Sequence, residues 1–189
     1  APGGPRFLEA LRRGGRLRAH WQVPPRFLAD RDGADDWRRG FVQACVAALD
    51  ARRGVLVLVP DVHDVRRMRD ALTACLGDGC VAELHSELGP AARYRNYLAA
   101  SRGRARVMVG TRGACYAPLH DLGLICLWDD GDDLFAEPRA PYPHARDVAA
   151  LRAAAEPCAL LYASYARSCE IERWVESGWL APLASPAAT

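Results

Sequence analysis

The sequence predicts an α/β domain built on a central, mainly parallel sheet with helices on both faces. Three observations predict it. Apolar strand-like runs alternate with helical periodicity from residue 35 to about residue 176. The strand runs are short and continuously apolar, as expected of strands covered on both faces. One of them, Leu122 to Leu127, runs straight into Trp128-Asp129-Asp130-Gly131-Asp132-Asp133, placing four carboxylates at a strand end where open α/β sheets keep their chemistry.

The first 34 residues are rich in Gly, Pro and Arg and read as a poorly ordered lead-in, with short apolar patches at Phe7 to Leu11 and Trp21 to Val23. From Asp35, a candidate N-cap, the residues Trp37, Phe41, Val42, Cys45, Val46 and Leu49 recur at helical spacing until Gly54. Val55 to Val59 is a strand ended by Pro60, Val62 to Leu76 a helix, Val81 to Leu84 a strand, and Pro90 to Ser101 a helix with its proline in the first turn. Ala105 to Val109 and Leu122 to Leu127 are strands, followed by a Pro-rich loop to Pro143. A helix from about His144 to Ala155, a strand Cys158 to Tyr162 and a helix from about Ser168 to Glu176 complete a five-stranded domain over residues 35–180. Residues 181–189 read as a frayed tail or linker.

Composition narrows the function. All 25 basic residues are Arg and none is Lys, which excludes mechanisms that need a Lys ammonium on phosphate or a Schiff base. A net charge of +2 is too small for a strongly nucleic-acid-binding module, so any such contact rests on local patches. The seven Cys never approach CxxC spacing and several fall in apolar runs, where a thiol packs as a small hydrophobe. No signal peptide and no apolar run near 18 residues is present, so the expectation is a reduced, cytoplasmic protein with no membrane partner.

Four motifs, in order and spacing, resemble the first lobe of superfamily 2 DNA helicases of the primosomal protein N′ (PriA) family. They are Val57-Leu58-Val59-Pro60-Asp61, Leu84-His85-Ser86, Val109-Gly110-Thr111-Arg112-Gly113-Ala114 and His144-Ala145-Arg146-Asp147. The pattern looks most like the actinobacterial branch of that family, regarded as helicase-deficient. The resemblance implies a three-layer RecA-like (P-loop NTPase-type) domain, nucleoid-associated, acting on branched or single-stranded DNA with primosome or single-stranded-DNA-binding proteins as partners. It also implies family cofactors, ATP and Mg, that this chain has lost, and zinc in a module these residues do not contain.

The chain departs from the family's pattern at three places. Where the family has a Gly-rich phosphate loop ending in Gly-Lys-Thr, this chain has Asp30-Arg31-Asp32-Gly33-Ala34-Asp35-Asp36, with no Lys and four carboxylates that would repel a triphosphate. The family's Asp-Glu-Glu-His aligns with Trp128-Asp129-Asp130-Gly131, so Trp stands where the magnesium ligand belongs. Its Gly-Ser-Ala-Thr-Pro aligns with Ala163-Ser164-Tyr165-Ala166-Arg167. Asp129 and Asp130 are therefore relic catalytic positions, and no metal or cofactor ligand is expected. A residual DNA-dependent ATPase, or a carboxylate-metal phosphotransferase using Asp129, Asp130, Asp132 and Asp133, are the enzymatic alternatives.

Thr111 and Arg112, just past a strand end, are DNA-backbone candidates by resemblance, the alternative for Arg112 being an ion pair within the sheet. His85 and Ser86 are candidates for the same edge. Arg146 and Asp147 read as an internal ion pair. The basic run Arg93, Arg95, Arg102, Arg104 and Arg106 reads as a solvated face.

Overall fold

The computed structural model of the chain describes residues 3–24 and 36–183. Its strands are β1 (Arg18–Gln22), β2 (Gly54–Leu58), β3 (Val81–Leu84), β4 (Val107–Gly110), β5 (Leu122–Trp128), β6 (Ala159–Ser164) and β7 (Ala181–Leu183). They form one sheet in the order β3-β4-β2-β5-β6-β1-β7, with every pairing parallel. The helices are α1 (Gly4–Arg12), α2 (Asp36–Asp50), α3 (Val62–Leu76), α4 (Pro90–Ser101), α5 (Ala145–Ala155) and α6 (Cys169–Glu176). One core lies between the sheet and α1, α2 and α3, the other between the sheet and α4, α5 and α6. The central strands β2, β4, β5 and β6 are buried along their whole length, which is why they read as unbroken apolar runs.

The helix ends follow from local chemistry. Asp61 accepts the Asp64 N–H at 2.8 Å to start α3, and Ser168 accepts the Ile171 N–H at 3.2 Å to start α6. His144 caps α5 through Nδ1, which accepts the Arg146 N–H at 3.2 Å. The N-cap expected at Asp35 lies outside the described residues.

The sheet has seven strands where the sequence reading counts five. Residues 4–22 are not a poorly ordered lead-in: Pro5 opens α1, whose Phe7 and Leu11 are buried, and Arg18–Gln22 is a strand inserted between β6 and β7. Gly and Pro there mark a helix boundary rather than disorder. Polar Arg18, His20 and Gln22 alternate with apolar Ala19, Trp21 and Val23, the period-2 signal of a strand, which the surrounding Gly, Pro and Arg content masks. His20 is fully buried, and its Nε2 lies 2.9 Å from Ser164 Oγ on β6, which itself donates to the Ala166 carbonyl at 2.6 Å. The hydroxyl proton is thus committed, so Nε2 is the donor; burial and the nearby Arg167 lower the pKa to about 4, which keeps the ring neutral near pH 7, with Nδ1 buried and without a partner. At the other end, residues 181–183 of the expected tail form β7. That strand is short, carries Pro182 and sits at the sheet edge, where a missing N–H costs no ladder bond. Residues 184–189 lie outside the described residues.

Candidate functional site

The C-terminal ends of the strands open into two separate places. The first is a cleft of about 740 Å³ beyond β2, β4 and β3. All four DNA candidates line it: His85 and Ser86 after β3, Thr111 and Arg112 after β4. Gly110 makes the approach possible, since a Cβ there would stand 2.3 Å from the Leu84 carbonyl oxygen and 2.4 Å from Ala114 Cβ. With only hydrogen at that position, the Thr111 N–H reaches the Leu84 carbonyl at 3.2 Å and a 3₁₀ turn, Arg112–Tyr116, begins at once.

The candidates differ in freedom. Ser86 is exposed, and the Thr111 hydroxyl makes no cap contact to the turn it precedes. His85 is buried, with Nε2 3.8 Å from Glu83 Oε2 and Nδ1 without a partner. Arg112 does form an ion pair, but not within the sheet. Its Nε meets Glu137 Oε2 at 3.1 Å, and Nη1 donates to the Leu134 and Ala136 carbonyls at 3.2 and 3.3 Å, tying the cleft to the loop after β5. Arg66 at the same rim pairs with Glu87 at 2.8 Å. Arg93, from α4, also lines the cleft and has no carboxylate partner among the described residues.

The second place is the strand-end crevice of β5, β6 and β1. Trp128, closing β5, stacks face to face on Trp37 in the first turn of α2, with ring centroids 4.4 Å apart and planes 6° from parallel. Tyr165, just after β6, meets Trp128 edge-on at 5.0 Å, and Phe41 meets Trp37 edge-on at 5.5 Å. Both tryptophans are buried. The helical spacing assigns Trp37 only to a helix core and misses the pair, whose members lie 91 residues apart in the chain. The acidic stretch 30–35 lies outside the described residues.

The four aspartates do not converge. Asp129 has positive φ, 55°, and its N–H is held by the Ala163 carbonyl at 2.8 Å. Asp130 turns inward to full burial: Oδ2 accepts the Ser168 hydroxyl at 2.5 Å and faces Arg146 Nη1 at 3.5 Å, while Oδ1 has no partner. Asp132 caps the next 3₁₀ turn, accepting the Leu134 N–H at 2.8 Å. Asp133 faces solvent. Burial pushes the Asp129 and Asp130 carboxyls above their ordinary value, Asp129 also by repulsion from Asp132, while Ser168 and Arg146 hold Asp130 partly back. Among the described residues no three His, Cys, Asp or Glu side chains form a set that could hold a metal ion. Arg146 is a buried hub. It reaches Asp130, Asp147 at 3.3 Å and Glu170 at 3.0 Å, and its carbonyl accepts the Tyr162 hydroxyl at 2.7 Å. The Arg146–Asp147 pair is thus present, within a larger network whose Glu170 arm the sequence did not indicate.

No family model matches the chain. Among curated proteins, it is 45% identical over 183 residues to the probable replication restart protein PriA of Mycobacterium tuberculosis, covering 97% of this chain and 27% of that protein. The chain is homologous to a segment of PriA. The same match recurs at 43% identity with the probable replication restart protein PriA of Mycobacterium leprae (93% of this chain, 26% of that protein) and at 35% with replication restart protein PriA of Synechocystis (69% and 16%). The chain therefore spans about a quarter of the length of the first two relatives. Among solved structures, it resembles a hypothetical ATP-dependent RNA helicase from Sulfolobus tokodaii (TM-score 0.63, 11% identity, 96% of this chain and 51% of that one). It also resembles the C-terminal domain of S. cerevisiae Dbp5 (TM-score 0.60, 10% identity, 92% and 91%). At such identities the likeness shows the fold, that of a RecA-like helicase domain. No helix among the described residues is long and apolar enough to cross a membrane.

Proposed function

We propose that this chain is a RecA-like lobe of a PriA-type replication restart protein that has given up Mg·ATP chemistry and works as a DNA-binding and partner-recruiting scaffold. The observation that carries this is the Trp37–Trp128 stack. In a working site, the residue closing this strand offers a carboxylate to magnesium; an indole offers no ligand, and its face here is already spent on another indole. The neighbouring Asp130 is tied to Ser168 and Arg146, and the chain holds no Lys to neutralise a phosphate. These groups do not fit a magnesium nucleotide, and no catalytic step is assigned through one.

In this reading the cleft beyond β2, β4 and β3 carries the DNA contact. Thr111 and Ser86 offer hydroxyls to backbone phosphate, and Arg93 offers an uncommitted guanidinium. Branched or single-stranded DNA is the ligand, with primosome or single-stranded-DNA-binding proteins as partners. Affinity of this segment is low and falls with salt, because few phosphates are neutralised.

Two titrations test the two halves. Isothermal calorimetry of Mg·ATP into the chain gives no binding heat; micromolar binding sinks the loss of nucleotide. Anisotropy of labelled single-stranded DNA gives weak, salt-sensitive binding that Thr111→Ala and Arg93→Ala reduce. Binding indifferent to both substitutions removes the cleft from the reading. A residual ATPase has one observation in its favour, the raised pKa of Asp129 at the strand end, which suits a proton acceptor. It requires ATP turnover that Asp129→Ala abolishes.

A further inference from the structure

Two stretches of this chain, residues 10–29 and residues 88–120, are rich in Arg and free of Asp and Glu. Between Leu88 and His120 there are six arginines and no Asp or Glu, whereas the whole chain carries only +2. That acid-free stretch includes α4, whose outer surface shows Arg93, Tyr94, Arg95 and Tyr97 all exposed. Tyr94 is 66% exposed and Tyr97 43%, and neither has a ring or hydrogen-bond partner among the described residues. Tyr94 and Tyr97 are three residues apart, so both side chains leave one face of the helix from Cα atoms about 4.5 Å apart along its axis. Arg93 is four residues before Tyr97 and also lines the cleft, so this strip begins where the cleft ends. The helix beneath is anchored: Asn96 donates to the Glu83 carbonyl on β3 at 2.8 Å, and Ala100 is fully buried.

We propose that α4 is a base-stacking platform, across which a single strand of nucleic acid leaves the cleft with bases on Tyr94 and Tyr97 and phosphates near Arg93 and Arg95. This rests on the reading of the cleft as a nucleic-acid interface. Charge complementarity selects a polyanion, because no carboxylate on the helix competes for the guanidinium groups. The two planar rings select one with unpaired bases: stacking uses a π-face that every base offers, whereas an acidic peptide would be held by the arginines alone and a duplex keeps its base faces covered.

The test uses anisotropy with the full 189-residue chain and a thymidine strand of about 15 nucleotides, a length of the order of one single-strand site. Its controls are an abasic strand and a duplex of the same length and a poly-glutamate peptide. Tyr94→Ala and Tyr97→Ala are expected to weaken thymidine binding about tenfold each and leave abasic binding unchanged, with Tyr97→Trp restoring it. Thr111→Ala weakens thymidine and abasic strands alike. If thymidine and abasic strands bind equally, or the tyrosine variants bind as the parent does while Thr111→Ala is impaired, the platform is wrong and the cleft stands. A tyrosine-dependent loss of poly-glutamate without loss of thymidine assigns the face to an acidic protein and overturns the proposal. Absence of any single-strand binding removes the platform and the cleft reading together. The tyrosines are solvent-facing, so their variants are expected to keep the parent's thermal midpoint.

Discussion

Replacing Trp128 by alanine measures how firmly the strand-end crevice is locked. The side chain is 5% exposed and makes a stacked contact at 4.4 Å on one side and an edge contact at 5.0 Å on the other. Removing a buried Trp side chain costs roughly 3–5 kcal/mol, of which the paired geometry accounts for about 0.5–1.5 kcal/mol beyond area burial. For a domain of this size, each kcal/mol lowers the thermal midpoint by about 2–4 °C, so a fall of about 10 °C is expected. Urea unfolding followed by far-ultraviolet circular dichroism measures the cost independently of tryptophan emission. The cycle Trp37→Ala, Trp128→Ala and the double variant isolates the pair, with an expected coupling of about 1 kcal/mol. A single-variant cost below about 1 kcal/mol, or a coupling indistinguishable from zero, refutes the claim that these indoles close the crevice. Trp128→Asp places a carboxylate at the end of β5 but buries it against Trp37. It is expected to destabilise at least as much as alanine and to gain no midpoint shift from Mg·ATP.

Three more outcomes follow. Arg146→Ala leaves buried Asp130 without its cation and is expected to cost about 3–5 kcal/mol by urea unfolding, partly recovered by adding Asp130→Asn; independent, additive effects would deny the pairing. Gly110→Ala forces a Cβ against the Leu84 carbonyl and is expected to cost at least about 2 kcal/mol and to weaken single-strand binding; unchanged stability would mean that β3 and β4 can part there freely. His20 titrates near 6.5 when unfolded and about 4 when folded, so its contribution is full above pH 6.5 and is lost as pH falls towards 4, up to about 3 kcal/mol. Asp129 and Asp130, raised in the folded state, act with the opposite sign, lowering stability as pH rises through the range above the ordinary carboxylate value. Subtracting the profile of His20→Gln isolates the histidine; parallel profiles would show that its ring is not buried neutral.

Much of the architecture is local enough to read from the chain. The bounds of α3 and α4 coincide with the expected ones because each shows one clear periodicity between breakers, Pro60 and Gly77 for the first and Gly89 and Gly103 for the second, and β3 coincides as the short run between Gly79 and the turn that follows Leu84. The gathering of His85, Ser86, Thr111 and Arg112 was legible in part, since all four follow strand ends, and a parallel sheet collects such positions along one edge. The commitment of Arg112 to Glu137 was not, because the partner arrives on a loop whose path has no periodic signal.

The sequence alone determined the parallel α/β class, the order of the inner elements, the absence of lysine and the Trp-Asp-Asp-Gly-Asp-Asp run at a strand end. Those are properties of composition, of two short-range periods and of motif order. Tertiary structure decided the rest: that Arg18–Gln22 is a strand whose buried His20 meets Ser164 through Nε2 and leaves Nδ1 without a partner, and that Ala181–Leu183 pairs beside it. It also decided that Trp37 and Trp128 close one crevice, and that Asp130 belongs to Arg146 rather than to its acidic neighbours. Each of these joins residues distant in the chain, and whether a polar or aromatic group is tolerated there depends on the partner that folding brings to it.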